Sequence, residues 1–120
     1  MLADFYGVSP ALLCDGSTLA ACLLDAARRC HLTPVDEARM HPFPGGGLTA
    51  FIMLSESHIA IHTYPEHGYL ALDIFSCGAG DVNDALEVFR VALKPSRVHA
   101  QSVARGGGIG EDLSVEEMAS

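Results

Sequence analysis

Polar and apolar residues alternate through residues 58–63, where His58, Ala60 and His62 interleave with Ile59 and Ile61. A period of two predicts a half-buried strand. Pro65, which has no N–H for a ladder, ends it. Residues 69–75 alternate again, with Leu70, Leu72 and Ile74 on one face and Ala71, Asp73 and Phe75 on the other. Residues 48–54 are an apolar run of strand length, in which Phe51 and Ile52 are expected to be buried. Residues 2–8 read as a short strand closed by Gly7 and Pro10, residues 35–40 as a weak exposed strand, and residues 98–103 as a last one. Helical spacing governs two other stretches. Ser17 is the expected N-cap of a helix running to about Cys30, with Leu19, Leu23, Ala26, Ala27 and Cys30 on one face. Asp81 caps a second, residues 82–93, with Val82, Ala85, Leu86, Phe89, Ala92 and Leu93 as its apolar stripe and Pro95 as its stop. Between them, residues 41–47 (two prolines, three glycines) read as a loop without regular structure. The tail from Gly106, glycine-rich and then acidic, is expected to be mobile.

This order carries an approximate two-fold internal repeat. It predicts an α+β two-layer sandwich, an antiparallel sheet with two helices on one face. At 120 residues the chain makes one domain. Although 49% of it is hydrophobic, no run approaches the ~18 apolar residues of a membrane span. The first residues lack the basic region of a secretion signal, so a cytoplasmic protein is expected. Fifteen acidic against seven basic residues give a formal charge of −8. That disfavours nucleic acid, whose binding rests on phosphate neutralisation. It suits a small cationic substrate, although simple solubility would produce the same balance.

The concentrated chemistry lies between Leu54 and Glu66, followed eleven residues later by Cys77. His58 and His62 share a strand face roughly 13 Å apart, too far for one metal ion with bonds of ~2 Å. The zinc reading of H-x-x-x-H needs a helix, which Thr63, Tyr64, Pro65 and the isoleucines oppose. The four cysteines (Cys14, Cys22, Cys30, Cys77) show no metal spacing, and reduced thiols are expected. Cys22 and Cys30 fit an apolar helical pattern as small hydrophobes. Cys77, between a strand and Gly78-Ala79-Gly80, stands where a thiol can face a cleft. Taken singly, the Glu56-Ser57 pair reads equally as the polar end of a strand, and His62 as a histidine satisfied by a carbonyl.

The motifs taken together are more specific. The run Ser55 to Gly68, the segment Asp73-x-Phe75-Ser76-Cys77-Gly78, and Phe43 with its Pro/Gly loop resemble the bacterial and archaeal S-adenosylmethionine decarboxylases. These are small self-processing enzymes that carry a pyruvoyl group and no metal or pyridoxal phosphate. The resemblance implies the same two-layer architecture, and dimers with active sites at the subunit interface. It implies that the Ser57 hydroxyl attacks the Glu56 carbonyl. Elimination then cuts the chain between Glu56 and Ser57, into residues 1–56 and 57–120, and leaves a pyruvoyl group at position 57. His62 is implied as the base that removes the Ser57 α-proton, and Thr49 as an assisting hydroxyl. The ketone condenses with the substrate amine to an imine, an electron sink for decarboxylation. Cys77 is implied as the acid that reprotonates the α-carbon; a thiol with pKa near ~8.5 is largely protonated at neutral pH. Phe43 and Tyr64 would stack on adenine, and Glu66 would bind the ribose hydroxyls.

Three departures from the family pattern stand out. Thr49 replaces a usual Ser, keeping the hydroxyl with less χ1 freedom, which predicts slower processing. The chain begins at its first strand, without the family's common Gly/His leader. The loop after Phe43 (Pro44-Gly45-Gly46-Gly47) carries glycines where relatives have bulkier residues. The expected function is decarboxylation of S-adenosylmethionine to supply aminopropyl groups for spermidine synthesis. The alternatives are an arginine or ornithine decarboxylase on the same scaffold, or an uncleaved regulatory subunit.

Overall fold

The computed structural model describes residues 1–76 and 80–106. Its strands are β1 (Leu2–Tyr6), β2 (Arg39–Pro42), β3 (Leu48–Met53), β4 (His58–Tyr64), β5 (Tyr69–Phe75) and β6 (Arg97–Gln101). They form one sheet in the order β2-β3-β4-β5-β1-β6, and every neighbouring pair is antiparallel. Two long helices, α2 (Gly16–Arg29) and α3 (Val82–Leu93), pack together over one face, preceded by a single-turn helix α1 (Pro10–Leu13). The α+β sandwich expected from the residue pattern is the fold observed.

The core lies between the helices and the sheet. Ala3 and Phe5, Ala50 and Ile52, Ile59 and Ile61, and Leu70, Leu72 and Ile74 point inward from four strands. They meet Leu19, Leu23, Ala26 and Ala27 of α2 and Ala85, Phe89 and Leu93 of α3. Phe89 reaches Phe5, ring centroids 6.4 Å apart. Cys22 and Cys30 are buried. Loss of hydration pushes both thiols above their ordinary range, which fits packing groups rather than nucleophiles.

Several local details differ from the expectation. The N-cap of α2 is Asp15 rather than Ser17: its carboxylate accepts from the Thr18 N–H at 3.2 Å and the Thr18 hydroxyl at 2.8 Å. An acceptor three residues ahead of an orphan N–H has the required reach, whereas Ser17 already lies inside the first turn. The strand expected at 35–40 begins only at Arg39, because Asp36 turns the chain by accepting from the Glu37 N–H at 2.8 Å. It then runs through His41 and Pro42, which pair with Thr49 and Leu48. Part of the expected loop is therefore strand; Pro42 is tolerated there because β2 is an edge. Phe51 is 38% exposed, since alternation gives the inward positions of β3 to Ala50 and Ile52. The last strand starts at Arg97 and ends at Gln101. Cys77 and the tail beyond Gly106 lie outside the described residues. Among the described residues no helix is long and apolar enough to cross a membrane.

Thr63 is the one fully buried polar side chain among the described residues that faces the core from β4. Its hydroxyl donates to the Leu13 carbonyl at 2.8 Å and accepts from the Leu48 N–H at 2.9 Å, tying α1 and β3 to the sheet. Thr63→Val keeps the shape and leaves both backbone groups without that partner. It should cost about 2–4 kcal/mol in denaturant unfolding, with Thr63→Ser losing less. A loss under about 0.5 kcal/mol would show that neither backbone group depends on the hydroxyl.

Candidate active site

Thr49, His58, His62 and Tyr64 lie on the helix-free face of the sheet, and strand register spreads the candidate residues between its two ends. In the β3–β4 hairpin Met53 pairs with His58 beside the turn, and Thr49 pairs with His62 further along. Direct opposition brings the Thr49 hydroxyl within 3.1 Å of His62 Nδ1. With the proton on Nε2 the hydroxyl donates to Nδ1; with it on Nδ1 the ring donates to the hydroxyl. The pair assigned to processing is thus a cross-strand contact, and His62 is half-buried rather than free in solvent.

The turn of the same hairpin holds the Glu56–Ser57 bond. Leu54 N–H donates to the Ser57 carbonyl at 3.0 Å, and Ser57 N–H to the Leu54 carbonyl at 3.4 Å. Ser55 N–H donates to the Thr33 carbonyl at 2.9 Å, anchoring the turn from outside. Ser55 and Glu56 are exposed, whereas Ser57 is only 8% exposed. Next along β4, His58 lies nearly parallel to Phe75, ring centroids 5.7 Å apart. Their pairing also brings Ser76, at the end of β5, close to the turn. A cavity of about 640 Å³ opens here, lined by His58, Asp73, Phe75, Ser76, Val103 and Arg105.

The residues assigned to substrate collect at the opposite end. Phe43 and Tyr64 have ring centroids 5.7 Å apart at 50°. Glu66 is exposed in a 3₁₀ turn, Pro65–His67, that links β4 to β5. The glycines after Phe43 have a geometric reason. A Cβ on Gly47 would come 2.4 Å from the Phe43 ring and 2.5 Å from the Thr63 carbonyl oxygen, and that backbone atom cannot yield. Gly45 faces the Glu66 carboxylate.

Within one chain, then, Thr49 meets His62 and Phe43 meets Tyr64. Ser57 is not brought to His62: the strand rise between His58 and His62 alone is roughly 13 Å. Sequence reasoning missed a polar group on the same face. Tyr69, at the start of β5, donates its hydroxyl to Asp4 Oδ1 on β1. Asp4 Oδ2 lies 3.9 Å from His99 Nδ1 on β6. The hydrogen bond to Asp4, followed by burial and the Asp4 charge, pushes the Tyr69 hydroxyl up to about 12. No motif flags these residues; alternation on β5 was the only signal that Tyr69 leaves the core. Among the described residues no group of three His, Cys, Asp or Glu side chains could hold a metal ion.

Residues 1–106 match the family described as S-adenosylmethionine decarboxylase. The chain is 38% identical over 115 residues to the S-adenosylmethionine decarboxylase proenzyme of Acidithiobacillus ferrooxidans, covering 88% of this chain and 80% of that one. With the proenzyme of Brevibacillus brevis the identity is 39% over 106 residues, covering 88% and 79%. Among solved structures, the adenosylmethionine decarboxylase from Aquifex aeolicus superposes with a TM-score of 0.80 at 32% identity, over 94% of this chain and 92% of that one.

Proposed function

The chain belongs to the S-adenosylmethionine decarboxylase family, self-processing carboxy-lyases made as proenzymes, and we propose that it cuts itself at Glu56–Ser57 and completes each active site with a second copy of itself. It decarboxylates S-adenosylmethionine. The observation that carries the processing site is the place of Ser57, in a hairpin turn closed by backbone bonds in both directions and followed by His58, which lines a cavity.

The Ser57 hydroxyl adds to the Glu56 carbonyl, the C–N bond breaks, and an ester replaces the amide. Removal of the Ser57 α-proton expels the Glu56 carboxylate and leaves dehydroalanine at position 57. Water then replaces its nitrogen, which departs as ammonia, leaving a ketone. Ser57 suits this group: its side chain is already out of bulk water, and the cavity gives an amine room to approach. A pyruvoyl group at position 57 would supply a ketone for the substrate amine and an electron sink for loss of CO₂. Cys77 supplies the proton to the α-carbon; it follows Ser76, which lines that cavity.

The α-proton has to meet a base within hydrogen-bond reach, and His62 of the same chain stands a strand's length away. A second copy laid on the helix-free face presents its own Thr49–His62 pair to Ser57, together with its Phe43, Tyr64 and Glu66. That face leaves Leu2 49%, Met53 51% and Phe75 36% exposed, an apolar surface suited to cover by a like surface. Phe43 and Tyr64 hold the adenine, Glu66 takes the ribose hydroxyls, and the net charge of −8 draws in the sulfonium cation. The product feeds aminopropyl transfer. The relatives described above are all named for this substrate, so the arginine, ornithine and regulatory-subunit readings have no observation on their side.

Intact mass under denaturing conditions, with and without borohydride and S-adenosylmethionine, tests the reading. Two fragments split between Glu56 and Ser57, with an adduct on the second, are expected. A single uncleaved chain with no adduct would overturn it.

A further inference from the structure

The helix-free face carries an aromatic row that continues past the proposed substrate residues. From Phe43 and Tyr64 it passes to Tyr69, 5.8 Å from Tyr64 at 30°, and then to Tyr6, 5.6 Å from Tyr69. The Arg97 guanidinium closes it, 4.3 Å over the Tyr6 ring. Tyr64 and Tyr69 are direct cross-strand partners beside the 3₁₀ turn. Tyr64 is 37% exposed, so the core does not fix its ring; its neighbours in the row do. Tyr69 is the member with a polar anchor, since its hydroxyl donates to Asp4 Oδ1 two strands away from Tyr64.

We propose that Tyr69 is a positioning residue for the substrate. Anchored by Asp4, its ring is the fixed surface on which Tyr64 stacks, and this sets the pose in which Tyr64, beside Phe43, receives the planar base of the substrate. The inference rests on the reading that Phe43 and Tyr64 hold that base. Tyr69 itself touches no reacting atom. Nor is it a core residue: it lies on the helix-free face, so its hydroxyl serves orientation more than stability. A ring with two torsions, fixed at its far end, presents a face at little entropic cost on binding.

The Tyr69–Asp4 link has a signature of its own. Asp4, Tyr6 and Tyr64 face the Tyr69 hydroxyl, and His99 lies behind Asp4. The neutral phenol is the form the fold favours, because its proton sits in the hydrogen bond and its anion would face a carboxylate. That preference is fully present below the ordinary value of 10.0 and is lost as pH rises through about 12. Asp4→Ala should move this ionisation back toward the ordinary range in a tyrosinate absorbance titration.

The kinetic test uses the processed enzyme. Tyr69→Phe keeps the ring and removes the anchor. It should raise KM for S-adenosylmethionine about three- to tenfold, with kcat within about twofold and self-cleavage unchanged. Asp4→Ala should do the same, and the double variant should be no worse than either single one, because both break one link. Asp4→Asn keeps an acceptor oxygen and should lose less. Additive effects, or a fall in kcat at unchanged KM, would overturn the proposal. Tyr64→Ala separates the two levels: if it raises KM while Tyr69→Phe does not, the positioning role alone is wrong. If Tyr64→Ala leaves KM unchanged, the substrate assignment fails and the inference with it.

Discussion

Ser57→Ala should purify as one folded, uncleaved chain of 120 residues, with no carbonyl reactive toward borohydride and amine and no measurable decarboxylation. The expectation is this stark because a single atom serves two ends. The Ser57 oxygen is the nucleophile that opens the Glu56–Ser57 bond, and Ser57 is the residue converted to the ketone. Alanine has no oxygen to add to the carbonyl and no leaving group to eliminate, so neither fragment nor cofactor can form. Folding should be spared. The turn is closed by the backbone N–H groups of Leu54 and Ser57 and anchored by the Ser55 N–H on Thr33, and alanine keeps all three. A CD spectrum and unfolding midpoint close to those of an uncleaved parent chain would confirm that the fold is intact. Self-cleavage of Ser57→Ala at this bond would sink the assignment outright.

The second large effect concerns His62 and a partner. His62→Ala alone should slow self-cleavage by on the order of 10²–10⁴-fold, the usual worth of a positioned general base. Co-expression of His62→Ala with Ser57→Ala should bring fast cleavage back, although by itself the first chain cleaves only slowly and the second not at all. In a mixed dimer the intact Ser57 of one chain faces the intact His62 of the other, and the opposite site has neither. Random pairing about a two-fold axis makes roughly a quarter of all sites competent. Only the His62→Ala chain should be cut, which mass spectrometry reads directly. The reason is geometric: Thr49–His62 is a rigid cross-strand contact on the sheet. The strand rise from His58 to His62, roughly 13 Å, cannot close by a rotamer change. If mixed dimers form and stay uncut, the site is assembled within one chain and the shared-site reading is wrong.

Much of this was legible in the residues. Alternation in 58–63 and 69–75 marked β4 and β5 because each buries one face and leaves the other open. The stripe from Val82 to Leu93, with Asp81 before it and Pro95 after it, bounded α3 closely, since capping and termination are local chemistry. The motif around Ser57 and His62 pointed to self-processing through its resemblance to a known family, since taken singly each residue also fits the polar end of a strand. Legibility ended where contacts are long-range. An apolar run such as 48–54 does not say which face is buried, and Phe51 turned outward. Asp15 could be told from Ser17 as the cap only from the position of the Thr18 N–H.

The residues alone determined the fold class and the positions of its main strands and helices, while the resemblance of the motifs singled out the Glu56–Ser57 bond as the proposed cleavage point. Periodicity, capping and functional-group reactivity are properties of short stretches, so a linear chain displays them. Tertiary structure decided the rest. Strand register placed Thr49 against His62, and the loop after β2 brought Phe43 to Tyr64, yet both pairs stay a strand's length from Ser57. Sheet order carried Tyr69 to Asp4, 65 residues away in the chain. Gly47, a plain loop glycine in the sequence, proved to be the space that the Phe43 ring and the Thr63 carbonyl occupy. Such pairings depend on which strands become neighbours, and only burial of the whole core settles that.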